Sequence, residues 1–309
     1  MSPATSVFLF PAFINSYSEN PGLTLPGFSE LFDRYIQQAA DSVEPKLAFF
    51  DFHSSNFLED ELLTQYITFL YSCAASTILR NNSVHPRFTT GYSMGIYAAF
   101  FDGGSVSLET GLMLIRSAYQ SLISSLDNEI YGMGAIIGLS RSDILNIIDS
   151  RCLNVEITNQ NASHSFVISG LRNNIETLLF YAHNEGALHT RCFNVSIPYH
   201  HSLLGKGAKQ FEESISHLEI LPSHNPVISL IDQKQCNTAW ELRQEVVRNL
   251  FNPLNWLKTN EWLIKNGTTE IIECGPSKNL AKNAKFLPGN YRFYTLDKIS
   301  SQIKSNPCG

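Results

Sequence analysis

Residues 91–95 read Gly91-Tyr92-Ser93-Met94-Gly95 and run straight into the apolar stretch Ile96-Tyr97-Ala98-Ala99-Phe100. The pattern is G-x-S-x-G at the entrance of a helix. A serine on a sharp strand-to-helix turn is forced outward, and chain packed closely on both sides of it requires residues without a Cβ. The N-terminus of the new helix directs free N–H groups and a positive dipole end at the region around Ser93. Those features make Ser93 a candidate nucleophile beside a partial oxyanion hole. They also set the fold class: Pro86 to Thr90 leads into the turn as a strand of a parallel sheet, so the chain is α/β.

Outward from the turn, Val7-Phe8-Leu9-Phe10 reads as a buried first strand, followed by a loop that begins Pro11-Ala12-Phe13-Ile14-Asn15. Helical periodicity covers Phe28 to Ala39 and Leu62 to Leu79. After Gly103-Gly104, Ser107 caps a helix that runs to about Leu122. The texture then changes to strands at Gly134 to Leu139, Asn154 to Thr158, Phe166 to Ser169 and Arg191 to Ser196. Helices at Ser142 to Ser150 and Arg172 to Glu185 lie between them. That order is the signature of a ferredoxin-like unit. It predicts a small domain at 130–196 inserted into a large α/β domain made of 1–129 and 197–309. Later helices are expected from Gly205 to His217, Trp240 to Leu250 and Trp256 to Asn266. Strands are expected at Val227 to Ile231 and Glu270 to Glu273, with Ser277 capping a helix after Cys274-Gly275-Pro276.

Composition bounds the partners. The 309 residues are 43% apolar and 16% charged, ordinary for a soluble globular protein, and the net charge of -6 argues against nucleic acid. Polar residues interrupt every apolar run, so no membrane span and no signal peptide are expected. Six scattered cysteines without a C-x-x-C pair point to reduced thiols in a cytoplasmic protein, with no metal site.

Five ordered blocks resemble the malonyl-CoA:acyl-carrier-protein acyltransferases of fatty-acid and polyketide synthesis. They are the F-x-F-P strand and loop, the G-x-S-x-G turn and N-x-N-x(5)-V-I-S-G at Asn159 to Gly170. Then come V-S-I-P-Y-H at Val195 to His200 and E-C-G-P-S at Glu273 to Ser277. Asn252-Pro253-Leu254-Asn255-Trp256 also fits the family's N-P-x-x-W stretch. The resemblance implies an α/β-hydrolase-like large domain with a ferredoxin-like insertion. It also implies Ser93 as acyl-accepting nucleophile, with His200 as general base and the adjacent His201 as its competitor. The oxyanion hole would be the backbone N–H groups of Phe13 and Met94, and the imidazole would be oriented by a backbone carbonyl at Asn255. Gln65, Tyr92 and Asn161 would line the substrate pocket. No bound cofactor is implied, since the substrate carries its own phosphopantetheine. The partner would be an acyl carrier protein, met by a monomer through Lys278, Lys282 and Lys285, a helix stripe that reads equally as a solvated face.

The departures bear on the substrate. Malonyl-selective members of the family carry an arginine that pairs with the free carboxylate, and the ungapped register puts Ala118 there. Arg116 is about 200° around the helix from that position. The loop glutamine and the histidine before the nucleophile are also replaced, by apolar residues and Tyr92. These changes predict a neutral acyl group, and the leading expectation is an acyl hydrolase like those that clear stalled chains from the carrier proteins of polyketide synthases. Loading of malonyl or another extender unit is the alternative.

Overall fold

The computed structural model describes residues 5–12, 20–54, 56–283, 287 and 289–305. Its strands are β1 Ser6–Phe10, β2 Phe88–Gly91, β3 Tyr131–Ile137, β4 Val155–Ala162, β5 Ser165–Leu171, β6 His189–Cys192, β7 Val227–Ile228, β8 Gln235–Cys236, β9 Leu254–Asn255, β10 Glu270–Glu273 and β11 Arg292–Thr295. The helices begin with α1 Phe28–Ser42, α2 Asn56–Glu59, α3 Glu61–Asn81, α4 Ile96–Asp102, α5 Leu108–Ser125 and α6 Arg141–Ser150. They continue with α7 Arg172–Asn184, α8 Gly205–Ser214, α9 Ala239–Arg248, α10 Trp256–Lys265, α11 Asn279–Asn283 and α12 Leu296–Ser305. The chain forms two compact units, one of Met1–Arg116, His217–Glu245 and Glu261–Gly309, the other of Ser117–Ser216 and Val246–Asn260.

The first unit is built on a six-stranded sheet in the order β11-β10-β1-β2-β7-β8, parallel except where β8 turns back on β7. A parallel sheet is covered on both faces, so its central strands carry continuous rather than alternating apolar residues. Val7, Phe8, Leu9 and Phe10 obey that rule, each without exposed surface. The helix α3 packs as a core element. It is long and apolar enough to cross a membrane, contrary to the expectation that no segment is, but 89% of its most apolar window is buried inside the protein.

Arg80 on α3 grips Asp102, the last residue of α4, through paired bonds of 2.7 and 2.8 Å. The Asp102 side chain is fully buried while that of Arg80 is 27% exposed. Removing one partner of a buried pair strands the other charge. Asp102→Ala is therefore expected to lower unfolding free energy by about 3 kcal/mol, read from urea denaturation at pH 7. A change within experimental error would mean the clamp contributes nothing.

The second unit carries a sheet in the order β6-β3-β5-β4, antiparallel throughout, with β9 added in parallel outside β4. The β3-α6-β4-β5-α7-β6 order confirms the ferredoxin-like motif. One face of this sheet closes over a core that includes Ile136, Ile144, Ile157, Phe166, Ile168 and Leu178. The second unit takes in more chain than the motif itself, adding the C-terminal half of α5, α8 and the segment around β9.

Several elements differ from the expectations. The last ferredoxin-like strand ends at Cys192 rather than Ser196; the Phe193 N–H still donates to Met133 O on β3 at 2.9 Å, but the Phe193 carbonyl accepts from the Arg172 guanidinium at 2.9 Å. At the N-terminus of α11 Ser277 Oγ accepts the Asn279 N–H at 3.5 Å, and Glu273 adds a second cap. Its carboxylate accepts from the N–H groups of Leu280 and Ala281 at 3.3 and 2.9 Å, where a negative charge complements the helix dipole.

Candidate active site

Ser93 has φ of +55°, a left-handed conformation that is costly for a residue with a Cβ. The two flanking glycines make that conformation possible. A Cβ on Gly91 would lie 2.2 Å from the backbone nitrogen of Ile96, and one on Gly95 would lie 2.1 Å from the carbonyl oxygen of Phe10. Strand β1 holds the turn from below, with the Tyr92 N–H donating to Phe10 O at 2.8 Å. Serine at the apex is thus held by backbone contacts on both sides, and the strain of about 1–3 kcal/mol is of the kind stored at functional sites. Met94 and Gly95 border a small cleft with Pro11, Gln65, Thr68 and Ser72. Gln65 and Met94 therefore border the same cleft. Tyr92 is half-buried, and Phe13 lies outside the described residues.

In the second unit, His200 is buried and also left-handed, with φ of +65°. Its backbone N–H donates to Leu250 O at 2.9 Å, and its Nδ1 lies 2.5 Å from Asn249 O. A carbonyl only accepts, so the proton sits on Nδ1 and Nε2 is the accepting nitrogen of the ring. Burial pushes the imidazole down to about 4, while the Asn249 carbonyl pulls the other way. His200 is consequently neutral at pH 7.

The orienting carbonyl is that of Asn249, not the expected Asn255. Asn249 directly follows α9, and helices end with carbonyls that lack an intrahelical partner. Asn255 is committed elsewhere: it forms β9, its side-chain amide donates to Gln160 at 3.3 Å, and its Oδ1 accepts the Lys258 N–H at 2.9 Å. His201, the competing candidate base, uses Nδ1 to accept the Leu203 N–H at 3.1 Å and so caps the turn that follows. Glu156 on β4 holds the same turn by accepting from the Ser202 N–H at 3.0 Å and from the Ser202 hydroxyl.

Asn161 lies on β4 and Ala118 on α5, both buried in the second unit. Arg116 belongs to the first unit and is engaged there. Its Nε donates to the Tyr66 hydroxyl at 3.2 Å, its Nη2 donates to Val43 O, and Glu44 lies 4.0 Å away. Val43 closes the C-terminus of α1, so Arg116 serves as a helix cap there. The helix α5 is continuous from Leu108 to Ser125. Of the basic stripe, Lys278 pairs with Asp297 at 3.0 Å, Lys282 falls within α11, and Lys285 lies outside the described residues. Among the described residues no His, Cys, Asp and Glu side chains gather in a group that could hold a metal ion.

No family model matches the chain. It is 26% identical over 276 residues to a malonyl CoA-acyl carrier protein transacylase of Bacillus subtilis, covering 87% of this chain and 68% of that protein. A protein of the same description from Staphylococcus aureus is 26% identical over 221 residues, which is 71% of each chain. Among solved structures, the malonyl CoA-acyl carrier protein transacylase of Coxiella burnetii superposes with a TM-score of 0.84 at 24% identity, covering 98% of this chain and 96% of that one. A malonyl-transacylase in complex with a type II PKS acyl-carrier protein gives a TM-score of 0.88 at 20% identity, covering 98% and 100%. The fold is the one these proteins share.

Proposed function

We infer that this chain belongs with the malonyl-CoA:acyl-carrier-protein transacylases and transfers an acyl group between phosphopantetheine thioesters through an ester on Ser93. The observation that carries this reading is the Nδ1 contact of His200 with Asn249 O, which puts the proton of a neutral imidazole on Nδ1 and makes Nε2 the basic nitrogen. A serine hydroxyl is a weak nucleophile and needs such a base. In the forward half-reaction Ser93 Oγ attacks the thioester carbonyl and its proton passes to His200 Nε2. The oxyanion is received by the Met94 N–H. The thiol departs with the proton from His200. A second phosphopantetheine thiol then gives its proton to His200, attacks the ester and carries the acyl group away, while His200 returns that proton to the departing Ser93 Oγ. The partner on this reading is an acyl carrier protein, as in the complex whose fold this chain shares.

Sequence similarity to transacylases supports transfer ahead of the hydrolysis expected from the sequence. A second reading, of a neutral acyl donor, rests on Arg116. With its guanidinium spent on Tyr66 and Val43, it offers nothing to a substrate carboxylate. An unpaired malonate carboxylate taken out of water would cost several kcal/mol, whereas each buried CH₂ of a neutral chain would gain about 0.8 kcal/mol.

Intact-protein mass spectrometry of the enzyme, offered malonyl-CoA and short acyl-pantetheines separately, tests both. A malonyl adduct that moves onto holo carrier protein is the expected result of the first reading. Adducts from neutral donors alone would select the second, and acids released without any transfer would overturn transfer itself. Arg116→Ala is expected to leave the loading rate within twofold while costing about 1 kcal/mol of stability, the worth of a lost cap. Loss of malonyl loading in that variant would show the guanidinium reaching substrate after all.

A further inference from the structure

The peptide unit between Tyr199 and His200 is held at both ends. Its N–H, which belongs to His200, donates to Leu250 O at 2.9 Å. Its carbonyl, which belongs to Tyr199, accepts from the Ser169 hydroxyl at 3.0 Å. The plane of that peptide sets φ of His200, and φ there is +65°, in the left-handed region that is uncommon for a residue with a Cβ.

Ser169 is itself oriented. Its hydroxyl lies 2.9 Å from that of Thr158, and both residues have no exposed surface. A serine hydroxyl has one proton, and Ser169 spends it on Tyr199 O, so Thr158 donates within the pair, at 2.9 Å, ahead of its longer contact of 3.4 Å with Val167 O. The proton order is therefore Thr158 to Ser169 to the Tyr199 carbonyl. Thr158 occupies a β-bulge: Ile157 pairs with Ile168 and Asn159 with Val167, leaving Thr158 as the extra residue on β4. A bulge re-aims a side chain out of the normal alternation.

We propose that Ser169, oriented by Thr158, is a positioning residue for the base: it fixes the Tyr199–His200 peptide plane and so holds the imidazole in its strained, working orientation. The proposal rests on the reading of His200 as general base. It predicts a defect in the chemical step rather than in substrate binding, because neither hydroxyl is placed in contact with substrate.

The test is steady-state kinetics of acyl transfer from the donor that loads Ser93, with Ser169→Ala, Thr158→Val and the double variant. Ser169→Ala should lower kcat about tenfold with KM within twofold, and the acid limb of the pH profile should stay in place. Thr158→Val should lower kcat by a smaller factor. The double variant should be no worse than Ser169→Ala, since one chain of bonds acts as a unit. A kcat within twofold of the parent in Ser169→Ala, or strictly multiplicative losses in the double variant, would overturn the proposal. Should Ser169→Ala fail to fold, Thr158→Val decides: a parental kcat overturns, and a lowered kcat at unchanged KM supports. His200→Ala separates the two layers. If it keeps parental activity, the assignment of the base fails; if it is inactive while Ser169→Ala is parental, only the present inference fails.

Discussion

Ser93→Ala is expected to abolish the covalent acyl adduct and to lower kcat/KM for acyl transfer by about 10⁴-fold or more, the scale on which removal of a nucleophile acts. Alanine removes the hydroxyl and leaves the turn, since the contacts that impose the φ of +55° belong to Gly91, Gly95 and Phe10 rather than to the serine side chain. Thermal stability should therefore stay at the parental value. The measurement is paired: intact mass after incubation with donor, and a melting curve of the same sample. Retained transfer in a variant that forms no adduct would require direct attack by the acceptor thiol and would remove the two-step scheme.

His200→Ala is expected to cost about 10²–10⁴ in kcat, the range for a positioned general base. The pH dependence carries a sharper signature. With burial holding the imidazole at about 4, kcat/KM should stay level as pH falls past 6.5 and drop only near 4. Stability follows the same group with a definite sign. Between about 6.5 and 4 the unfolded chain binds the histidine proton and the folded chain does not, so this group's stabilisation is full above about 6.5 and is lost as pH falls through that window. The loss sums to about 3 kcal/mol at its limit. Urea denaturation at pH 7 and pH 4.5 reads it, with His200→Gln as reference to cancel the carboxylates. An equal pH slope in parent and variant would show that His200 titrates normally in the folded protein.

The turn that carries Ser93 was legible in the sequence because its constraint is steric and local. Gly91 and Gly95 are glycines because backbone atoms of Ile96 and Phe10 stand where a Cβ would be, and such positions leave a mark in residue type. The parallel sheet was legible for a related reason, in the unbroken apolar run of β1. The orienting carbonyl was not, because any residue supplies one. Asn249 is chosen by where α9 stops, and a motif count that reaches Asn255 overshoots by six residues. The strands β8 and β9 have two residues each, too few for any periodicity to register. Arg116 shows the opposite case, where helical geometry from the sequence alone placed it away from Ala118 and the cap on α1 explains what it does instead.

The added strand β9 has a consequence for exchange between relatives. The outer edge of β4 is completed by Leu254 and Asn255, which lie far along the chain from the 130–196 segment, and the carbonyl that orients His200 comes from that same later stretch. A graft of 130–196 alone would carry a raw sheet edge and leave the histidine and its acceptor behind. A chimera that moves 117–216 together with 246–260 takes His200 and its acceptor as one heritable cassette. Recombination breakpoints tolerated among such enzymes should therefore come in pairs.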